Sequence, residues 1–244
     1  MIVRNILAEW TKLRTTASFW WTSGLILAIA LGFTGLTFGL GDNSVLFGAS
    51  EFIISSFWTG SLIAIIVMAT MVVTTEYRFK ISGTNFQVTP VRWEVAVAKY
   101  VLYAVIAAIL SFVALVASYM LADALVDGGF AWTEQETATR ALWAVPLAVA
   151  LMVMFCQGIG WLLRQTAGAI TLVLFWWLFL ESAVSMIPKV GDAVYKYLPM
   201  HNINDFVMNA PGADWTIWEA FGIFGIWAVV LWIAGIVVLE RRDA

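Results

Sequence analysis

The chain has 244 residues, 62% hydrophobic and 12% charged, with a mean hydropathy of +0.89 and a formal net charge of −3. A soluble domain carries about a quarter charged residues, so this composition excludes a water-soluble globular protein, and no nucleic-acid partner is expected. The single cysteine, Cys156, sits in an apolar run, which excludes a disulfide within the chain and reads as a small buried hydrophobe.

The first turns place Arg4, Glu9, Lys12 and Arg14 between Ile2, Val3, Ile6, Leu7, Trp10 and Leu13, which recur at helical spacing. This predicts an amphipathic helix over residues 1–16, lying in the membrane surface. No short apolar core with a cleavage site follows, so a cleaved signal peptide is not expected. Six apolar stretches come next, at about 19–40, 52–74, 97–122, 139–162, 167–187 and 217–239. Each is close to the roughly 20 residues that a spanning helix needs. The expected fold is an all-α membrane protein of six transmembrane helices behind an N-terminal surface helix, forming a single transmembrane domain over 1–244.

Basic residues set the expected orientation. Arg4, Lys12, Arg14, Arg78, Lys80, Arg92, Lys99, Arg164, Arg241 and Arg242 fall on one side, and Arg140, Lys189 and Lys196 on the other. Ten against three predicts both ends in the cytoplasm of a multi-pass cell-membrane protein. The other side is acidic, with Asp42, Glu51, Asp123, Asp127, Glu134, Glu136, Asp192, Asp205 and Asp214. Trp20, Trp21, Trp132, Trp215 and Trp218 cluster near span ends, where indole rings favour the interface.

Two connections are long. Residues 75–96 form a cytoplasmic loop of mixed charge, with Gly83, Pro90 and the aromatics Phe79, Phe86 and Trp93. Residues 188–215 lie outside between Pro188, Pro199 and Pro211, and retain Val190, Val194, Tyr197, Leu198, Ile203, Phe206 and Val207. A segment this apolar predicts short re-entrant or surface helices shielded by protein.

Chemistry-bearing residues are sparse. Glu181, near the outer end of the fifth span, is the one ionisable residue well inside a span. It marks either the junction with an aqueous or re-entrant region, or a substrate-facing gate. The aromatic block Phe175, Trp176, Trp177 and Phe179 either faces lipid and fills gaps, or lines a path. Gly32, Gly35 and Gly39 allow close helix packing, within the chain or in a dimer. The lone His201 has no zinc-site or nucleophile companions, and no GxxxxGK[ST] phosphate loop occurs. No catalytic or metal site is therefore expected, and the chain itself would bind no cofactor.

The segment TTEYRFKISGTNFQVTPVRWEVAVAKY, Thr74 to Tyr100, carries Glu76 at the end of a span, then Thr89-Pro90, Arg92, and Lys99 entering the next span. This resembles the loop between the second and third spans of ABC-2-type permeases, the membrane subunits of one class of ABC exporters. AEWTKLRTTASFWW (Ala8 to Trp21) and LLRQTAGAI (Leu162 to Ile170) are similar to the actinobacterial branch of that family, and Glu181–Ala183 and Tyr197–Pro199 also fit. The likeness runs along nearly the whole chain, departing at Lys80-Ile81, where many relatives carry Gly-Thr.

The resemblance implies the six-span ABC-2 (type V) exporter fold, a second permease chain as homodimer or heterodimer partner, and a cytosolic ATPase subunit that holds ATP and Mg. A coupling helix around Val88, Thr89, Pro90, Arg92 and Trp93 would dock on that ATPase, with Gln165 and Thr166 as a minor second contact. Glu76 and Arg78 would tie the loop to the span ends or to the surface helix. For the loop itself the alternative is a basic segment that only fixes topology, and for the whole chain the runner-up is a six-span accessory or receptor subunit that binds a ligand or partner without transport.

Overall fold

The computed structural model describes residues 2–40, 48–79, 91–126, 128–188, 191–210 and 215–241. Among them there is no strand. Helix α1 (Ile2–Thr15) leads into α2 (Ala17–Leu40), followed by α3 (Ala49–Arg78), α4 (Arg92–Leu125), α5 (Glu136–Leu163) and α6 (Thr166–Ser185). Two short helices, α7 (Gly191–Tyr195) and α8 (Pro199–Met208), precede the last long one, α9 (Ile217–Arg241). The six helices α2, α3, α4, α5, α6 and α9 are long and apolar enough to cross a membrane.

Their packing separates a buried centre from an apolar exterior. The most apolar stretches of α3 and α5 are each 61% covered by neighbours, against 17–39% for the other four helices. Phe33, Leu36, Val105, Ile109, Ile226 and Val230 stay exposed. A belt of large apolar side chains on every outer helix is a liability in water but is the solvated state in lipid. Lipid tails are as apolar as leucine, so cohesion here depends on close packing of small residues. A Cβ added at Gly158 of α5 would land 2.8 Å from the Leu231 and Trp232 backbone of α9. One added at Gly235 would meet Trp161 Cβ at 2.8 Å and the Gly158 carbonyl at 3.0 Å. The two helices touch backbone to backbone at that crossing.

The GxxxG of α2 does less. Positions Gly35 and Gly39 face Leu121 and Leu125 of α4 at 3.8 and 3.7 Å, ordinary contact distances, and Gly32 faces open space. The pair packs within the chain.

Helix α1 ends where Thr15 and Thr16 return their hydroxyls to the carbonyls of Thr11 and Lys12. Such bonds compete with the helical ladder and bend the chain. The apolar side of α1 stays open at Val3 and Leu7, while Glu9 and Leu13 turn into the bundle. Two π-helical segments interrupt the long helices, Phe57–Ser61 in α3 and Trp176–Leu180 in α6.

Observed spans agree with the apolar runs to within a few residues, with one informative exception. The resemblance implies a coupling helix around Val88 to Glu94, ahead of a span that the apolar pattern starts near 97. Instead Arg92, Trp93 and Glu94 form the first turn of α4, and one helix runs unbroken to Leu125. No breaker stands between Trp93 and Lys99, so the helix has no reason to stop. Val88, Thr89 and Pro90 lie outside the described residues, as do Lys80, Ile81, Gly83 and Phe86.

Candidate functional site

Side-chain contacts bring α1, the end of α3, the start of α4, the α5–α6 turn and the end of α9 to one face of the bundle. At its centre is a buried ion cluster. The Lys99 ammonium, 1% exposed, donates to Glu9 Oε2 at 2.5 Å and to Glu76 Oε1 at 2.8 Å. Lys12 donates to Glu9 Oε1 at 2.8 Å and to Glu76 Oε1 at 3.1 Å. Two cations and two anions balance, which is the condition for burying them, since an unpaired buried charge costs several kcal/mol. Burial alone would depress the Lys12 amino group, but the adjacent Glu76 and Glu9 carboxylates outweigh it and hold its pKa above the ordinary value. Helices α1, α3 and α4 are thereby tied at one point.

A second set of contacts fixes α9 on the same face. Arg92 Nη1 donates to the Leu239 carbonyl at 2.9 Å and Arg164 Nη2 to the Val238 carbonyl at 3.0 Å. The last carbonyls of a helix lack intrahelical partners and carry the negative end of its dipole, so two guanidinium groups satisfy both needs. Arg164 also lies 4.8 Å from the Tyr77 ring centroid. Its positive φ of 55° ends α5 in the left-handed region, with its N–H returned to the Gly160 carbonyl.

The residues that the sequence singled out therefore divide. Glu76 binds both Lys12 of the surface helix and Lys99. Arg92 faces the end of α9, while Trp93 is 43% exposed at the rim. Arg78 projects outward over the Phe79 ring at 5.6 Å. Gln165 is exposed in the two-residue turn before α6, and Thr166, half-buried, is the first residue of that helix. Glu9 is the partner that sequence reasoning passed over, because it reads as one more charge on an amphipathic surface.

The opposite face holds α8. The Glu181 carboxylate accepts the backbone N–H groups of Met200 at 2.7 Å and His201 at 2.6 Å, and the Trp176 indole N–H at 3.1 Å. At the other end of α8, Arg140 donates to the Phe206 carbonyl at 2.6 Å and the Val207 carbonyl at 3.3 Å. An anion at its N-terminus and a cation at its C-terminus both oppose the α8 dipole. Met200, Ile203, Phe206 and Val207 are buried, so α8 is docked on the bundle. Glu181 acts here as a cap supplied by a neighbouring helix. His201 stacks on Tyr195 at 4.2 Å and lies 3.4 Å from Asp205. Burial raises the Asp205 carboxyl above its ordinary range, and the nearby His201 partly offsets that.

The aromatic block of α6 also splits. Trp176 packs edge-on to Phe155 and Trp227, whereas Phe175 and Phe179 stack on each other and point outward, 51% and 61% exposed. Among the described residues no group of three or more His, Cys, Asp or Glu side chains could hold a metal ion.

The chain matches none of the protein-family models compared with it, and none of the curated proteins matches it.

Proposed function

We propose that this chain is the membrane subunit of an ATP-driven exporter, paired in the cell membrane with a second permease chain and docked on a separate cytosolic ATPase. The observation that carries the reading is the near face just described. It bears Arg4, Lys12, Arg14, Arg78, Arg92, Lys99, Arg164 and Arg241, against Arg140 and Lys196 at the other end. That bias favours a cytoplasmic position for this face. Its exposed Trp93 stands one residue from Arg92, which grips α9, and six from Lys99, which grips α1 and α3. A push on the start of α4 is passed directly to three other helices. A loop that only fixed topology would need its charges but not these linkages.

The permease supplies the path, and the partner binds ATP and Mg. ATP-driven closure of two ATPases would draw the two near faces together and shift the paired spans between inward- and outward-facing states. The capped α8 would sit at the exit.

The test is a mild-detergent pull-down of the tagged full-length chain from its native host, with Trp93→Ala as the variant. Trp93 is half in solvent and caps nothing, so the variant keeps its fold, checked by an unchanged thermal midpoint. The expected result is a Walker-motif ATPase near one-to-one with wild type and depleted with the variant. Failure to capture an ATPase under any mild condition would sink the proposal and favour the accessory-subunit reading.

A further inference from the structure

Two cavities open along the seam between α2 and α3, of about 640 and 650 Å³, and Thr22 lines both. The first lies at the near face and is bordered by Glu9, Lys12, Thr16, Glu76 and Arg78. The second runs on between Leu25, Ile29 and Phe33 of α2 and Thr59, Ile63 and Val67 of α3, with no charged residue. They adjoin at Thr22, so the α2–α3 groove they mark is charged at one end and apolar along the rest. From Ala17 to Phe33 the rise of α2 gives it a length of about 24 Å, more than the roughly 15 Å of one leaflet's hydrocarbon.

Its charge decides what fits. Within the ion cluster Lys12 and Lys99 already balance Glu9 and Glu76. Arg78 is therefore the uncompensated charge at the mouth, exposed and facing no carboxylate within ion-pair distance among the described residues. We infer that the α2–α3 groove binds a phospholipid with an anionic headgroup from the α1-side leaflet, its phosphate on Arg78 and one acyl chain along α2.

A second copy of the chain is the weaker occupant. Its near face would bring eight described Lys and Arg residues against Glu9, Glu76, Glu94 and Glu240, adding positive charge beside Arg78. An anionic lipid supplies the opposite sign. Guanidinium is also well suited to phosphate, through paired N–H donors in a fixed fork. Helix α1 lines the same mouth through Glu9, Lys12 and Leu13, and its open apolar side, at Val3 and Leu7, would set it at headgroup depth. Occupancy of this groove needs no ATPase, so the inference stands or falls apart from the exporter reading.

Native mass spectrometry of the full-length chain, titrated with dioleoyl phosphatidylglycerol or dioleoyl phosphatidylcholine, tests it. Wild type should retain one phosphatidylglycerol with about tenfold preference over phosphatidylcholine, whose choline cation offsets the phosphate charge that both lipids present to Arg78; the factor is the scale of one charge-assisted contact. Arg78→Gln should erase the preference. Thr59→Trp, which fills the apolar groove from an exposed position, should remove that bound lipid whatever its headgroup. Equal retention of both lipids by wild type, or a preference that survives Arg78→Gln, overturns the inference. So does a Thr59→Trp variant that dissociates a dimer while its lipid occupancy is unchanged, because the groove would then belong to a second copy.

Discussion

Replacing Lys99 by Met removes one member of a balanced cluster and leaves a nearly isosteric apolar chain. The lost contacts are those at 2.5 Å to Glu9 and 2.8 Å to Glu76. What remains is two buried carboxylates sharing Lys12, whose side chain is 43% exposed and pays for only one of them. Breaking a buried pair in this way costs about 3–5 kcal/mol, mostly as the penalty of the orphaned charge. For a chain of this size each kcal/mol moves a melting midpoint by about 2–4 °C, so Lys99→Met should melt about 6–20 °C lower. Intrinsic tryptophan fluorescence in detergent reads the midpoint, with 14 tryptophans as reporters. The double variant Lys99→Met, Glu9→Gln restores balance, since Lys12 and Glu76 remain as a pair 3.1 Å apart. It should recover more than half of the loss. If Lys99→Met melts within about 2 °C of wild type, or the double variant is the worse of the two, charge burial is not what ties α1 to the spans.

Three further outcomes are expected. Lys12 has a folded pKa above its ordinary 10.5, so its stabilising contribution is complete below about 10.5 and is lost as pH rises through the higher folded value. A spin label at Val3→Cys should therefore gain mobility above pH about 10.5, and Lys12→Gln should show that mobility already at neutral pH. Glu181→Ala should cost about 3 kcal/mol and speed amide exchange at Met200 and His201. Normal exchange there together with altered transport would instead mark Glu181 as a gate. Gly158→Ala should destabilise by about 1–3 kcal/mol through backbone collision, measured by thermal midpoint, whereas Gly35→Ala should stay within about 0.5 kcal/mol.

The spans were legible because each is an apolar run of membrane length, a one-dimensional signal. Contacts between runs were not. Lys99 in EVAVAKY reads as a basic residue entering a helix, and nothing local pairs it with Glu9, ninety residues earlier. Glu181 announced itself by position, yet its partners are backbone amides nineteen and twenty residues on, which carry no side-chain signature. Glycine spacing misdirected attention to α2, because GxxxG describes one helix face while close approach also needs a small facing surface. Gly158 and Gly235 supply that for each other from different helices. The π-helical turns had no signal beyond the aromatic block in one and Gly60 in the other.

The two ends of the bundle are built for different mechanical behaviour. At the near face α1 is bound to α3 and α4 through four charges, and α9 is bound to α4 and α5 through Arg92 and Arg164. Five elements there must move together or expose buried charge and unpaired carbonyls. Helix α5, 28 residues and about 42 Å long, carries that constraint across the bundle. Arg164 follows its last residue, Gly158 locks it to α9, and Arg140 in its second turn holds the end of α8. Both π-helical segments lie towards the far end, in α3 and in α6. There the i→i−4 ladder is already broken and a helix can change its winding at little cost. On the exporter reading, a displacement of the near face would be carried by α5 and relieved at these turns. Those of α6 lie beside Glu181, which accepts the first N–H groups of α8, and include Trp176, which donates to Glu181.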